Sequence, residues 1–421
     1  MFKKYTLKNG LRVIVAPMHE TKAMTALVLV KVGSRYEKRK INGVSHFVEH
    51  LLFKGTKKRP TSLDISKELD GIGAEYNAFT SKDHTGYYIK ANYEKAELAL
   101  EMLSDMLFNS LFEAKEIERE RGVIVEEINM YEDNPLMFAE DLFEQTMYGD
   151  HPLGWHIAGP KEVIKSVTRE DIMKYHHYYY QPKNMLVAVA GRQDAKLLNL
   201  IKKYFGQAKN KQTIKKFPSI VIKQKAPQLS LKFKDTEQVQ LCLGFPSYDY
   251  FDKRLYALYL LGVILGGSKS SRLFTSIREK KGLCYFVLAQ VNVYQDTGNL
   301  MIQAGLDKSR LKEAIVEILK ELKKIKRGDV TTSELRKAKD FLKGKLILDL
   351  ETSDHVASWF SKQELLTDKM LTPAKQLELL EKVKLAEIKK VANELVVTKK
   401  INLSLIGPFK KKNELHGLLN L

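Results

Sequence analysis

The chain has 421 residues, enough for two to four domains that each bury an apolar core. Hydrophobic residues make up 44% and charged residues 29%, which excludes a disordered chain, and no stretch reaches the roughly 18 apolar residues of a membrane span. The formal net charge of +19 comes from dispersed lysines without interleaved aromatic residues, so we expect neither nucleic acid nor a membrane as a partner.

The ends and the cysteines indicate a compartment. Residues 1–8 carry charge with no apolar segment behind them, which is not the pattern of a secretory signal. The two cysteines, Cys242 and Cys284, lie far apart in sequence, so we expect neither a disulfide framework nor a cysteine-based zinc site. We predict a cytoplasmic protein.

The first predicted elements are strands within residues 11–32 and a helix over residues 42–55. The helix carries one apolar stripe at helical spacing, formed by Val44, Phe47, Val48, Leu51 and Leu52. Lys54 and Gly55 predict its end. His46, Glu49 and His50 then lie together on another face of the helix.

This face has the chemistry of a zinc site. Histidines four residues apart stack one turn above the other, so both imidazoles can reach one metal ion. Glu49, beside His50, is placed to accept a proton from an attacking water. Chance predicts only roughly 0.03 occurrences of His-x-x-acid-His in a chain of this composition. We therefore interpret His46 and His50 as zinc ligands and Glu49 as the general base.

A third ligand is expected from the charged helix over residues 115–131. Glu120 and Glu127 are seven residues apart and share a face of this helix. Glu126 instead shares its face with Arg119, an expected salt-bridge partner. Such a helix is ordinarily a solvated surface, but beside two histidines it becomes the best donor of a ligand, and Glu127 is the best candidate.

The second half of the chain repeats the plan of the first. After an exposed linker at residues 206–227, it opens with a strand over residues 239–245 and continues with elements in a similar order. At the stage where the first half has its histidines, residues 260–265 are entirely apolar. We predict a catalytic zinc-binding domain over residues 1–215 and a non-catalytic repeat over residues 216–421.

These motifs carry a family resemblance. His46-x-x-Glu49-His50 is the inverted zinc motif, and Glu120 through Glu127 matches the Glu-x6-Glu segment that follows it in the pitrilysin/insulinase-type zinc metallopeptidases. The chain is also similar to mitochondrial processing peptidase subunits and their bacterial two-domain relatives. The resemblance implies an α/β fold of the α+β type, with two similar domains that each pack a largely antiparallel sheet with helices.

The resemblance also assigns roles. It implies one Zn²⁺ per chain held by His46, His50 and Glu127, with Glu120 as an auxiliary acidic residue. Asn77, in the strand predicted beside the zinc, would help to fix the substrate backbone. Further substrate-binding residues are expected in the second half, where Arg278 would donate to substrate carbonyls and Tyr285 would stabilise the oxyanion.

The implied activity is endopeptidase cleavage of peptides or unfolded segments inside a chamber enclosed by a dimer. The partner would be a second copy of the chain or a related subunit. A catalytically inactive structural or processing-complex subunit is the alternative, and the complete set of four zinc-site residues argues against it. The substrate and its cleavage preference are not readable from the sequence.

Overall fold

The computed structural model describes residues 2–410 and 413–421. Its strands are β1 (Lys3–Thr6), β2 (Arg12–Pro17), β3 (Ala23–Val30), β4 (Glu75–Thr80), β5 (Thr85–Asn92), β6 (Met185–Gly191), β7 (Gln228–Phe233), β8 (Gln238–Ser247), β9 (Cys284–Val293), β10 (Gly298–Asp307) and β11 (Asn402–Gly407). None of the helices in these two ranges is both long and apolar enough to span a bilayer.

The helices complete the element order. They are α1 (Val44–Leu51), α2 (Ser62–Asp70), α3 (Ala96–Asn109), α4 (Ala114–Asp133), α5 (Pro135–Tyr148), α6 (Lys161–Ser166), α7 (Arg169–Tyr179), α8 (Leu197–Phe205), α9 (Leu255–Gly266), α10 (Leu311–Arg327), α11 (Thr332–Asp349), α12 (Ser353–Thr367), α13 (Pro373–Glu381), α14 (Leu385–Leu395) and α15 (Asn413–His416). A π-helical turn lies at Phe274–Glu279.

The chain divides into two compact units, each built from three segments. The first unit comprises Met1–Asn129, Trp155–Pro218 and Ile347–Met370. The second comprises Met130–Gly154, Ser219–Leu346 and Leu371–Leu421. A single division at residue 215 therefore does not describe either unit fully, because one short segment of each lies in the opposite half of the sequence.

The first unit contains a six-stranded sheet of order β1-β2-β6-β3-β5-β4. All neighbouring strands are antiparallel except β2 and β6. In the centre, Ala26 of β3 lies opposite Val189 of β6 and Ile89 of β5. Nearly every residue of β3 and β6 is buried, as expected for strands covered on both faces.

The second unit repeats this topology. Its five strands have the order β7-β11-β8-β10-β9, and only β7 and β11 are parallel. Five consecutive strands of the first sheet, β2-β6-β3-β5-β4, have the same connectivity and the same position for the parallel pair. The predicted fold, two similar domains with largely antiparallel sheets and packed helices, is confirmed.

Each sheet is covered on one face by a helix from the opposite half of the sequence. In the first unit, α12 packs on β3 and β6, and the Ser353 hydroxyl contacts that of Thr25 at 2.8 Å. In the second unit, α5 packs on β8 and β11, where Phe143 meets the buried Cys242 and Ile406. These helices cover apolar sheet faces that would otherwise be exposed to water.

The site-bearing helix α1 is shorter than the predicted range of 42–55. It begins after Gly43, whose φ of +101° lies in the left-handed region, and it ends at Leu51 in a turn that leads to Gly55 at φ +132°. A Cβ at Gly55 would lie 2.3 Å from the Pro60 carbonyl oxygen, so close backbone packing ends the helix here. The predicted helix over 115–131 is confirmed as α4.

Candidate metal centre

Two helices and one edge strand of the first unit bring the site residues together. Helix α1 buries its apolar stripe in the core and presents His46, Glu49 and His50 on another face. Helix α4 buries Ile117, Ile124 and Ile128, and thereby fixes the direction in which its carboxylates point. Strand β4, at the edge of the sheet, packs beside α1.

Three predicted ligands converge at one point. The Nε2 atoms of His46 and His50 are 3.3 Å apart. The Glu127 carboxylate completes a triangle, with Oε1 at 3.6 Å from the His46 Nε2 atom and Oε2 at 3.5 Å from the His50 Nε2 atom. One ligand atom from each residue lies within 4.8 Å of the others.

These separations fit a tetrahedral zinc ion. Zinc binds imidazole nitrogen and carboxylate oxygen at about 2.0–2.2 Å, so two ligands of a regular tetrahedron lie about 3.3–3.6 Å apart. In the site, the two Nε2 atoms are 3.3 Å apart, and each lies 3.5 to 3.6 Å from one oxygen of the Glu127 carboxylate, Oε1 for His46 and Oε2 for His50. Two imidazoles and one carboxylate are a catalytic rather than a structural zinc set, because three protein ligands leave a fourth position open.

The ring of His50 is oriented by a second carboxylate. Its Nδ1 atom lies 3.1 Å from Oε2 of Glu120, which leaves Nε2 for the metal position. Lys54 donates from Nζ to Oε1 of Glu120 at 2.7 Å. Glu120, predicted as an auxiliary acidic residue, therefore lies behind a ligand and has no ligand atom in the triangle.

Glu49, the predicted base, is oriented by a hydroxyl group from β4. Its Oε2 atom accepts a 2.5 Å hydrogen bond from the hydroxyl of Thr80, at the end of β4. Burial raises the pKa of Glu49, and the hydrogen bond from Thr80 opposes that rise. A carboxylate with a raised pKa is a better proton acceptor near neutral pH than an exposed one.

The electrostatics of the cluster favour a cation. Burial lowers the pKa of His50, but hydrogen bonds with Glu120 and Glu127 outweigh it and raise that pKa to about 9. Burial lowers the pKa of His46 to about 4, and the neighbouring His50 adds to this effect. The hydrogen bond with His50 lowers the pKa of Glu127. The carboxylates of Glu120 and Glu127 thus stabilise a positive charge at His50, and a bound divalent cation would supply such a charge.

The remaining predicted residues lie on other elements. Asn77 is exposed on β4, and its Oδ1 atom accepts from the Ala78 amide at 2.8 Å. In the second unit, the Arg278 guanidinium lies 4.7 Å from the ring centre of Phe274 and 5.6 Å from that of Tyr285. Tyr285 sits at an irregularity in the β9–β10 pairing and is 74% exposed. Their roles toward substrate stay predictions.

Sequence reasoning missed three polar residues that hold the site. Thr80 orients Glu49, Lys54 holds Glu120, and Glu37 accepts hydrogen bonds from the start of α1. The absence of a capping side chain before Val44 was a signal that a distant acceptor was needed. Sequence spacing did not indicate which one. The predicted pairing of Glu126 with Arg119 was wrong, since Arg119 pairs with Glu116 and Glu126 is exposed.

Comparison with known proteins identifies the family of the chain. Residues 12–161 match the model of the insulinase family, peptidase family M16, and residues 166–342 match that of the peptidase M16 inactive domain. An uncharacterized zinc protease of Bacillus subtilis (strain 168) is 38% identical, over 97% of this chain and 98% of its own. One from Mycobacterium leprae (strain TN) is 33% identical over 99% and 94%.

A solved structure shows that the fold is shared. The crystal structure of a protease from Helicobacter pylori superimposes with a TM-score of 0.90 at 30% sequence identity, and the match covers 97% of this chain and 99% of that one. The two family models match residues 12–161 and 166–342, and the zinc proteases and this structure match nearly the whole chain. The chain belongs to the insulinase family of peptidases, family M16.

Proposed function

We propose that the chain is a zinc-dependent endopeptidase that hydrolyses peptides or unfolded segments. The observation that carries the proposal is the convergence of His46, His50 and Glu127, which each bring one possible ligand atom within 4.8 Å of the others. The half-buried carboxylate of Glu49 lies on the same helix face, one residue before His50. The names of the related zinc proteases support the same chemistry.

In the proposed mechanism, His46, His50 and Glu127 hold the zinc ion. When bound, zinc polarises the scissile carbonyl and makes a water proton easier to remove. Glu49 accepts that proton while the water oxygen adds to the carbonyl carbon. It then returns the proton to the departing amine nitrogen as the C–N bond breaks. Thr80 keeps the Glu49 carboxylate oriented, and Glu120 keeps the His50 ring in place.

The proposed substrate site uses the free edge of β4. An edge strand offers unpaired backbone N–H and C=O groups, to which an extended peptide can add as a further strand. Thr80 links the end of this strand to Glu49, so a peptide paired with β4 would lie beside the proposed base. Asn77 is exposed on the same strand and is proposed to hold the peptide backbone.

The activity is tested by metal analysis combined with a library of fluorescence-quenched peptides. We expect about one zinc per chain, cleavage within the peptides rather than only at their ends, and loss of cleavage after chelation. Added Zn²⁺ should restore it. A chain that holds zinc but cleaves no peptide would support the alternative, an inactive structural subunit.

We also propose that two copies of the chain form a dimer with composite active sites. The proposed zinc residues come from the first half of the sequence, and Arg278 and Tyr285 come from the second. In a dimer, each active site could take its zinc residues from one chain and Arg278 and Tyr285 from the other. A related subunit could take the place of the second copy. The cytoplasmic location stays a prediction based on the unpaired Cys242 and Cys284.

Composite sites predict rescue between two inactive variants. Glu49→Gln and Arg278→Ala chains, each nearly inactive, are refolded together with different affinity tags. With random pairing, about half of the dimers are mixed, and each mixed dimer has one intact site, so activity should recover to about a quarter of the wild-type value. Recovery is measured as peptide cleavage. If mixed dimers are isolated with both tags and remain inactive, each active site takes its zinc residues and its Arg278 from one and the same chain.

A further inference from the structure

Helix α1 carries three of the four proposed zinc-site residues but begins without a capping side chain. The residue before it is Gly43, and no side-chain cap comes from that position. A Cβ at Gly43 would lie 2.4 Å from the carbonyl oxygen of Ala158, so the packing excludes the serine, threonine or aspartate that ordinarily caps a helix. The first amide groups of α1 must therefore find another acceptor.

Glu37 is that acceptor. Its Oε2 atom accepts from the Gly43 amide at 2.7 Å and from Nδ2 of Asn42 at 2.8 Å, while Oε1 accepts from the Ser45 amide at 2.7 Å. Glu37 is only 2% exposed. A buried carboxylate thus lies at the positive end of the helix dipole, seven residues before the first residue of the helix it caps.

The two proposed histidine ligands are held in different ways. The ring of His50 is oriented through Nδ1 by Glu120. The Nδ1 atom of His46 is buried and has no hydrogen-bond partner among residues 2–410 and 413–421. The position of the His46 ring therefore depends on packing and on its backbone, which lies in the first turn of α1, directly after Ser45.

Ser45 connects this turn to its surroundings from two sides. Its amide donates to Glu37, and its hydroxyl lies 2.6 Å from that of Tyr175 on α7. Loss of the Glu37 contacts would leave this turn held by the Tyr175 hydroxyl and by the apolar packing of Val44 and Phe47. Metal affinity is sensitive to small displacements of a ligand. Loss of the Glu37 contacts should therefore displace His46 and weaken zinc binding.

We infer that Glu37 is a positioning residue for His46. By holding the first turn of α1, Glu37 sets the affinity of the site for zinc. This inference rests on the proposed zinc-dependent function. Glu37 performs for His46, through the backbone, what Glu120 performs for His50 through the ring. The two carboxylates therefore have matched roles at the two ends of the motif.

The test is a zinc titration of Glu37→Gln against a chromophoric chelator, at pH 8. Burial raises the pKa of Glu37 to about 7, against the opposing hydrogen bonds from Ser45, Asn42 and Gly43, so at pH 8 the wild-type carboxyl is mostly ionised. Glutamine keeps the volume but turns an NH₂ group toward donors. We expect the Kd for zinc to rise about 10–100-fold, as for other groups that orient ligands.

A matched control separates positioning from general helix stability. Asp64 belongs to the capping box that begins α2 in the same unit. Asp64→Asn should change the Kd for zinc by less than about twofold, as expected for a partly exposed residue on another helix. Thermal melting and circular dichroism of the zinc-free proteins verify that each variant is folded during the titration.

Replacement of Zn²⁺ by Co²⁺ gives a spectrum that depends on ligand geometry and does not change when only the stability of the protein changes. Its visible bands report ligand geometry, and we expect them to shift in Glu37→Gln and to stay unchanged in Asp64→Asn. Glu37→Asp, which keeps the charge but is one methylene shorter, provides a milder variant if Glu37→Gln fails to fold. It should show a smaller change of the same sign.

The outcomes separate this inference from the function on which it rests. Wild-type protein that binds zinc, with unchanged Kd and unchanged Co²⁺ bands in the folded Glu37 variants, would overturn the inference and leave the proposed function intact. A lower melting temperature with unchanged metal binding would do the same. Wild-type protein that binds no zinc would overturn both.

Discussion

Replacement of Glu49 by glutamine is expected to leave zinc content and fold unchanged and to lower kcat on the order of 10²–10⁴-fold, the usual effect of losing a general base. Glutamine is nearly isosteric and can still accept the hydrogen bond from Thr80, so the helix and its histidines should stay in place. It cannot accept a proton from water at neutral pH. Steady-state cleavage of a quenched peptide, with zinc measured on the same sample, tests this expectation.

The matched control is Glu118→Gln. Glu118 is an exposed glutamate on α4 that pairs with Arg121, and its loss should leave peptide cleavage near the wild-type rate. If Glu49→Gln cleaved peptides at a near-normal rate while retaining zinc, the proposed base would be wrong and another group would have to take the proton.

The second large effect is expected in zinc content. Glu127→Gln should lose most of the metal after dialysis, because it removes the only carboxylate of the proposed ligand triangle and the charge that stabilises a cation beside His46 and His50. Peptide cleavage should fall with the zinc content. Elemental analysis of dialysed protein gives the ratio of zinc to chain.

The neighbouring residue provides a strict control for this variant. Glu126 lies on the same helix but is exposed, and Glu126→Gln should keep its zinc. Equal loss in both variants would mean that the overall negative charge of α4 matters more than one ligand. Loss only in Glu126→Gln would mean that the wrong carboxylate has been chosen.

Local sequence patterns predicted which ligands share a helix face, and zinc chemistry together with the family resemblance predicted that the two faces meet. The apolar stripe of α1 places His46 and His50 on one face, and the seven-residue spacing of Glu120 and Glu127 places both on one face of α4. Both patterns depend only on residues within a few turns of each other. The structure brings these faces together, with His46, His50 and Glu127 in mutual reach.

The supporting residues were not predictable in this way. Glu37 reaches α1 from a separate turn, and Thr80 reaches Glu49 from the far end of an edge strand. Lys54 appeared in sequence only as the end of a helix, although it holds Glu120. These contacts depend on how elements pack in space, and the periodicity of one element contains no information about its neighbour.

The packing of α5 and α12 was likewise not predictable from the sequence. Both helices bury one face against a sheet, and that face includes polar side chains such as Glu144 and Glu364, so their sequences do not indicate which sheet it covers. The predicted domains, residues 1–215 and 216–421, assign each helix to the half in which it occurs. By contacts, α5 belongs with the second sheet and α12 with the first.

This exchange has a consequence during synthesis on the ribosome. The last strand of the first sheet, β6, is complete at Gly191, but α12, which covers that sheet, ends at Thr367. At about 5–20 residues per second, the ribosome needs roughly 10–35 s to make the intervening 176 residues. For that time the nascent chain holds an apolar sheet face that lacks its covering helix. Molecular chaperones that recognise exposed apolar surface would find it there, and folding of the first unit can finish only after most of the second has been translated.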